Sequence, residues 1–271
     1  MCLINNMSFY RNHKPNLTIV KVGGAVVEDP ARLDQLLRRF AAIEGPKILV
    51  HGGGRRATAV ATTLGIETKM VDGRRITDAD MLNVVTMVYG GLVNKTIVAR
   101  MQALGIDAVG LTGADLDIIR SHRRPPKDGI DYGFVGDVDK VNPTKISRFI
   151  QGNTVPVIAP LTHDAHGNML NTNADTIASE TAKAMARTHH VTLVFAFEKP
   201  GVLANPDDDN TPIPSITRDS LPRLVADGTV TGGMIPKIEN ALEAVDAGVS
   251  QVVITRADLI GTPHGTIIQN S

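Results

Sequence analysis

Two lysines stand where a purely structural role is hard to assign. Lys21 lies inside the apolar run Thr18-Ile19-Val20-Lys21-Val22 and is followed by Gly23-Gly24. A charged ammonium in such a strand is costly unless paired, and Gly-Gly at a strand end lets backbone N–H groups approach a ligand closely. A lysine snorkelling from an edge strand is the structural alternative. Lys237 follows Thr231-Gly232-Gly233-Met234-Ile235-Pro236 and opens the helical stretch IENALEAV. Pro236 suits a first helical position, which puts Lys237 in the first turn, where the macrodipole disfavours a cation. A bound anion would remove that conflict; a solvated lysine is the plain alternative.

Three further segments share this character. Lys47-Ile48-Leu49-Val50-His51-Gly52-Gly53-Gly54 is a strand, three glycines and then a helical pattern, which makes an anion nest at a helix N-terminus or simply a tight turn. GGGRRA at 52–57 also fits the dinucleotide pattern G-x-G-x-x-A, but its acidic partner some 20 residues on has only Glu67 and Asp72 to choose from. Gly-Lys never occurs as a dipeptide, so there is no Walker A loop. Asp72-Gly73-Arg74-Arg75-Ile76-Thr77 offers guanidinium groups that could fork onto a carboxylate. Asn171-Thr172-Asn173-Ala174-Asp175 supplies helix caps, and its alternate polar side chains would share one side of an extended segment.

The elements that must position these residues alternate. Strands are expected at Leu17–Val22, Lys47–Val50, Ala108–Leu111, Val155–Ala159, Val191–Phe197 and Val252–Thr255, with helices near 31–43, 56–64, 78–104, 173–188, 217–227 and 236–247. That order predicts an α/β fold around a mainly parallel, buried sheet. Asp117–Ile119 and Tyr132–Val135 read as a hairpin with a basic, Pro-rich tip at Ser121–Asp131, and Asn205–Pro214 as a second polar loop. The long helix opens with Thr77 and Asp80 in a capping-box arrangement. Met81, Val85, Val88 and Leu92 form one apolar stripe, widened by Val84, Val93 and Ile97. Such a helix serves a core or a subunit interface, with Gly90-Gly91 permitting close approach or a kink.

Composition narrows the classes. Lys plus Arg and Asp plus Glu are 28 each, and aromatics are 3% with no Trp. There is no global field to draw the chain to nucleic acid or anionic lipid, and few platforms for stacked bases. Cys2 is the only cysteine, which excludes an internal disulfide framework and a multi-cysteine metal site. The first twenty residues carry no long apolar run, and no stretch reaches the ~20 apolar residues of a membrane span. The expectation is a cytoplasmic, soluble protein.

Taken in order, K-x-G-G, HGGG, G-x-R-[IV]-T, N-x-N-A-D and GGM-x-x-K resemble the amino-acid kinase family and, within it, the acetylglutamate kinases of arginine biosynthesis. The resemblance runs from about Leu17 to Gly265-Thr266-Ile267-Ile268. It implies a three-layer α/β sandwich of two lobes: an extension over 1–16, an acyl-glutamate and dimerisation lobe over 17–188, and a nucleotide lobe over 189–271. It implies ATP and Mg²⁺, the metal carried by ATP rather than held directly, and a homodimer through the helix at 78–104. Carried over by motif, Lys21 and Lys237 would contact the transferring phosphoryl from either side, with Asp175 fixing their ammonium groups. Gly23 and Gly24 would offer amides to the nucleotide phosphates, and Gly52 and Gly53 to the attacking carboxylate. Arg75 and Asn171 would bind a substrate carboxylate, with Asn173 at the same site.

Some segments depart from the pattern or narrow it. Where the family often shows Thr-Asp-x-x-Gly-Val, this chain has Phe197-Glu198-Lys199-Pro200-Gly201-Val202. The sixteen residues before Leu17 lack the apolar periodicity of the helix that links arginine-inhibited relatives into hexamers, so neither hexamer nor arginine feedback is expected. DYGFVGDVDKVN (131–142), FEKPGVL (197–203) and GGMIPKIENALEAV (232–245) resemble the Bacteroidetes-type form associated with N-succinylglutamate. Arg74, Arg123, Arg124 and Lys127 are spare cations for an extra acyl carboxylate, or merely exposed charges. An NAD(P)-dependent oxidoreductase built on GGGRRA and a non-catalytic amino-acid or nucleotide sensor remain as other classes.

Overall fold

The computed structural model describes residues 14–71 and 73–270. The expectations drawn from the extension, including the absence of a hexamer, and the candidate acid at position 72 lie outside the described residues. In chain order the strands are β1 (Asn16–Val22), β2 (Lys47–His51), β3 (Met70–Val71), β4 (Arg74–Arg75), β5 (Ala108–Leu111), β6 (Ile119–Arg123), β7 (Gly136–Val141), β8 (Val155–Ile158), β9 (Leu161–His163), β10 (Met169–Asn171), β11 (His190–Phe197), β12 (Ser215–Ile216), β13 (Gln251–Arg256) and β14 (Thr266–Ile268). The α-helices are α1 (Gly24–Glu28), α2 (Pro30–Ala41), α3 (Gly54–Thr63), α4 (Ala79–Val85), α5 (Asn94–Ala103), α6 (Pro143–Gln151), α7 (Ala174–Met185), α8 (Leu221–Ala226) and α9 (Met234–Asp246).

Eight strands form the central sheet in the order β12-β14-β13-β11-β1-β2-β8-β5. From β13 to β5 every pairing is parallel, whereas β14 runs antiparallel to β13 and β12 pairs parallel with β14, so that these two strands run opposite to the rest. Parallel strands are covered on both faces, and side-chain alternation divides them. Leu17 and Ile19 pack with Ile48, Leu193 and the apolar sides of α7 and α9, whereas Val20 and Val22 pack with Leu49, Val194, α2, α3, α4 and α5. The result is the expected three-layer α/β sandwich. Lys21 falls on the α7 face by the same alternation.

Short elements escaped the sequence reading: α1, α6, β3, β4, β9, β10, β12 and β14. The hairpin is real but shifted. Its paired strands are β6 and β7, which join β9 and β10 in a four-stranded sheet. Asp115–Asp117 is instead a 3₁₀ turn with Leu116 and Asp117 at positive φ, and such a backbone cannot continue a strand.

The long helix is α4, a π-helical segment over Thr86–Val93, and α5. The π segment contains Gly90-Gly91, and its extra residue rotates the remainder of the helix about its axis. Leu92, expected on the apolar stripe, is therefore exposed, while Val88, Tyr89, Val93 and Ile97 are buried. Asp78, not Thr77, caps α4, accepting from Met81 N at 2.8 Å. Thr77 is buried and committed elsewhere: its N–H donates to Tyr132 O, and Phe134 N–H donates to its carbonyl. By length and composition Ala79–Ala103 could cross a membrane, but its apolar face packs into the core against α2, α3 and the sheet.

Candidate active site

The site lies at the carboxyl ends of β1, β2 and β11, where parallel α/β sheets bind ligands. β1 and β2 are neighbours in parallel register, so the turns after them touch. A Cβ on Gly52 would sit 3.2 Å from Gly24 N, and one on Gly24 would sit 3.7 Å from the amides of both Gly53 and Gly54. Glycine is required because two backbones pack directly. The Gly52 N–H, expected on the substrate, instead donates to Val22 O at 3.0 Å, which leaves the Gly24 and Gly53 amides for the cleft. On the far side a Cβ at Gly53 would meet the Tyr89 ring at 3.0 Å.

His51 supports this turn from below and went unassigned in the sequence reading. The imidazole is completely buried, and burial pushes its pKa down to about 4, so the ring is neutral at pH 7. Asn94 Nδ2 lies 3.1 Å from His51 Nε2 and 2.9 Å from Val157 O. An amide nitrogen only donates, so Nε2 accepts and the proton sits on Nδ1. Nδ1–H then donates to Gly52 O at 2.8 Å. Because C=O and N–H of one peptide point oppositely, drawing this carbonyl inward directs Gly53 N–H toward the cleft.

Lys21 is nearly buried and forms an ion pair with Asp175, Nζ to Oδ1 2.8 Å. This answers the cost of a lysine in a buried strand. Asp175 sits in the first turn of α7, placed by Asn173, whose Oδ1 accepts from Asp175 N and Thr176 N at 2.8 and 3.1 Å. Lys237, on α9, stands across the cleft. The Phe197 ring at the end of β11 touches both cations: Lys21 Nζ is 5.3 Å and Lys237 Nζ 4.7 Å from its centroid.

Two clefts meet here. One is lined by Lys21, Gly23, Gly24, Phe197, Met234 and Lys237. The other is lined by Gly52, Gly53, Arg74, Arg75, Arg124, Asn171 and Asn173, with Tyr89 at its wall. Asn173, Asp175 and Lys237 also border an opening between α7 and α9. Arg75 is buried, its Nη2 donating to Gly54 O and Thr58 Oγ1 at 2.8 Å each and its Nη1 to Thr68 Oγ1 at 3.3 Å. Asn171 Nδ2 donates to Thr77 Oγ1 at 2.9 Å.

The four spare cations part company. Arg74 and Arg124 line the second cleft, whereas Arg123 and Lys127 are not among its lining residues. Arg123 pairs with Asp131 and covers the Phe134 ring; Lys127 sits in the tip turn against Ile130. Arg124 is held by a short, bidentate pair with Asp137, which raises the guanidinium pKa and lowers that of the carboxyl.

Cations, amides and a fixed carboxylate converging on joined clefts make a site for two anions brought together, the arrangement that phosphoryl transfer requires. Residues 16–256 match the model of the Amino acid kinase family, and the chain belongs to that family. It is similar to proteins named acetylglutamate kinase from Phocaeicola vulgatus, 62% identical over 94% of this chain and 99% of the relative, and from Bacteroides fragilis, 61% identical over 94% and 98%. Among solved structures, smu.665 from Streptococcus mutans superposes with a TM-score of 0.74 at 29% identity, covering 93% of this chain and 98% of that one. Giardia lamblia carbamate kinase bound to AMP-PNP shares the fold, with a TM-score of 0.67 at 14% identity over 95% and 99% of the two chains. With such relatives, the protein is a carboxyl-group phosphotransferase.

Proposed function

We propose that the protein transfers the γ-phosphoryl group of ATP to the side-chain carboxylate of an N-acyl-L-glutamate, the acyl-phosphate-forming second step of arginine biosynthesis. The observation that carries this reading is the pairing of Lys21 with Asp175 at 2.8 Å beside Lys237 where the two clefts join. Two anions must come within bonding distance, and a unit-charge repulsion at 4 Å is about 4 kcal/mol at an effective dielectric of 20. Lys21 and Lys237 offset it from either side, and the Gly24 and Gly53 amides add donors that need no reorganisation. A carboxylate is already a nucleophile at neutral pH, so the site needs alignment rather than a general base.

In this reading 17–188 binds the acyl-glutamate, with Arg75 and Asn171 on its α-carboxylate, and 189–271 binds ATP. In this reading Mg²⁺ would enter on the nucleotide's phosphates rather than on a dedicated protein cage. When bound, the ion neutralises phosphate charge. The exposed Met87 and Leu92 on the π segment support a two-fold contact through the long helix, giving a homodimer. The composition supports a cytoplasmic enzyme.

The relatives' names favour N-acetyl-L-glutamate. N-succinyl-L-glutamate is favoured by a single observation: Arg74, exposed and close enough to Asp137 to add to Arg124's lowering of that carboxyl's pKa, lines the second cleft, where its guanidinium could also meet a second carboxylate. The deciding experiment is Mg·ATP-dependent acyl-phosphate formation, trapped as the hydroxamate, with both substrates side by side. Turnover of either supports the kinase, and the ratio of kcat/KM assigns the acyl group. Silence with both, in folded protein that binds ATP, would point to another acidic acceptor or to a sensor.

A further inference from the structure

We infer that Phe197 is a positioning residue which holds the two lysine ammonium groups at the joined clefts, Lys237 above all. The inference rests on the proposed role of those lysines in phosphoryl transfer. Phe197 is the last residue of β11, two residues from Phe195, so both rings project from the same face of the sheet. That is the face of Lys21, which is registered against Phe195 in the neighbouring strand. The two rings lie 6.0 Å apart and 12° from parallel. Phe195 is buried and fixes the plane of its partner.

The ring therefore presents its π surface to two cations, at 5.3 and 4.7 Å, within the range of a cation–π attraction. The lysines use it unequally. Lys21 also has Asp175 at 2.8 Å. Lys237 has no carboxylate partner among the described residues and sits in the first turn of α9, where the helix field repels it. The ring face is what opposes that repulsion and the mutual repulsion of the two ammonium groups. Phe197 also borders the opening between α7 and α9, the cleft with Gly23 and Gly24, and the groove beside Arg32 and Arg256. A ring so placed sets where the lysines stand before an anion arrives, which lowers the reorganisation required during transfer.

Three measurements on the full chain test this. In NMR spectra of the free enzyme, the ε-protons of Lys237 should be shifted upfield by the ring, and the shift should vanish in Phe197→Leu. Phe197→Leu should lower kcat about tenfold, with the acceptor KM within about twofold of wild type, while Phe197→Tyr and Phe197→Trp keep most of the rate. Successive fluorination of the ring at position 197, which drains the π face at nearly constant size, should lower log kcat stepwise. Unshifted Lys237 protons, a flat fluorine series, or wild-type kcat in folded Phe197→Leu would each overturn the proposal. If Phe197→Leu does not fold, the near-isosteric fluorinated enzymes still decide it. Wild-type turnover of Lys237→Ala is a different failure: it removes the catalytic reading of the lysine, while the NMR shift still judges the ring contact.

Discussion

Asn94 and His51, 43 residues apart in the chain, meet at 3.1 Å beneath the second glycine turn. Asn94 is the first residue of α5, where the π segment ends, and its Nδ2 also reaches Val157 O. The packing of the long helix is thus tied to the direction of the Gly52–Gly53 peptide. Asn94→Ala removes the donor from two buried acceptors, which should cost about 1–3 kcal/mol of stability. It should also lower kcat more than it raises KM. Chemical denaturation and steady-state kinetics check both; unchanged kcat would uncouple the network from the turn.

His51 also predicts a pH dependence. Its folded pKa, about 4, lies below the ordinary histidine value of 6.5 because burial disfavours the imidazolium. A depressed histidine binds its proton more readily in the unfolded chain. Its contribution is therefore complete above pH 6.5 and is lost as pH falls toward 4, amounting to about 3 kcal/mol across that window. In His51→Asn, whose amide can still donate to Gly52 O, this part of the stability–pH slope should be missing.

Lys21→Ala leaves Asp175 without its cation and removes one of two charges facing the phosphoryl group. The loss falls where charge develops, so kcat should drop about 10²–10³-fold with KM for ATP little altered. Wild-type kcat in Lys21→Ala would remove the assignment of the site.

Arg75→Lys keeps the charge but loses the fork that spans Gly54 O, Thr58 and Thr68. KM for the acyl-glutamate should rise by about tenfold or more, consistent with loss of a charge-assisted contact. KM for ATP should stay near wild type, and an equal rise in both would place Arg75 at the wrong substrate.

Gly110→Ala probes the network from the sheet edge. A Cβ there would lie 1.9 Å from Asn94 Oδ1 and 2.6 Å from Lys95 Nζ. Lys95 can swing away, but Asn94 is held by His51 and Val157, so the substitution should destabilise by about 1–3 kcal/mol. A thermal midpoint equal to wild type would show that Asn94 moves freely.

Much of the scaffold was legible because it is local. Apolar runs such as Thr18–Val22 and Lys47–Val50 end in glycines, and that pattern specifies strand, turn and helix without reference to anything distant. The cost of a lysine inside one such run already demanded a partner, and the resemblance to the family, rather than the local pattern, named Asp175. By itself, then, the sequence determined the parallel sandwich, the two glycine turns and the cations beside them. Tertiary structure decided what those groups touch. Phe197 lies under Lys237, 40 positions away, only because β11 pairs with β1 and α9 returns over the sheet. Arg124 is neutralised by Asp137 across a hairpin whose register shifts between Arg120 and Ser121. Leu92 left the core because a π turn inserted one residue into a regular repeat. Such contacts depend on strand order, register and helix phase, which are set by the packing of the whole chain rather than by any segment of it.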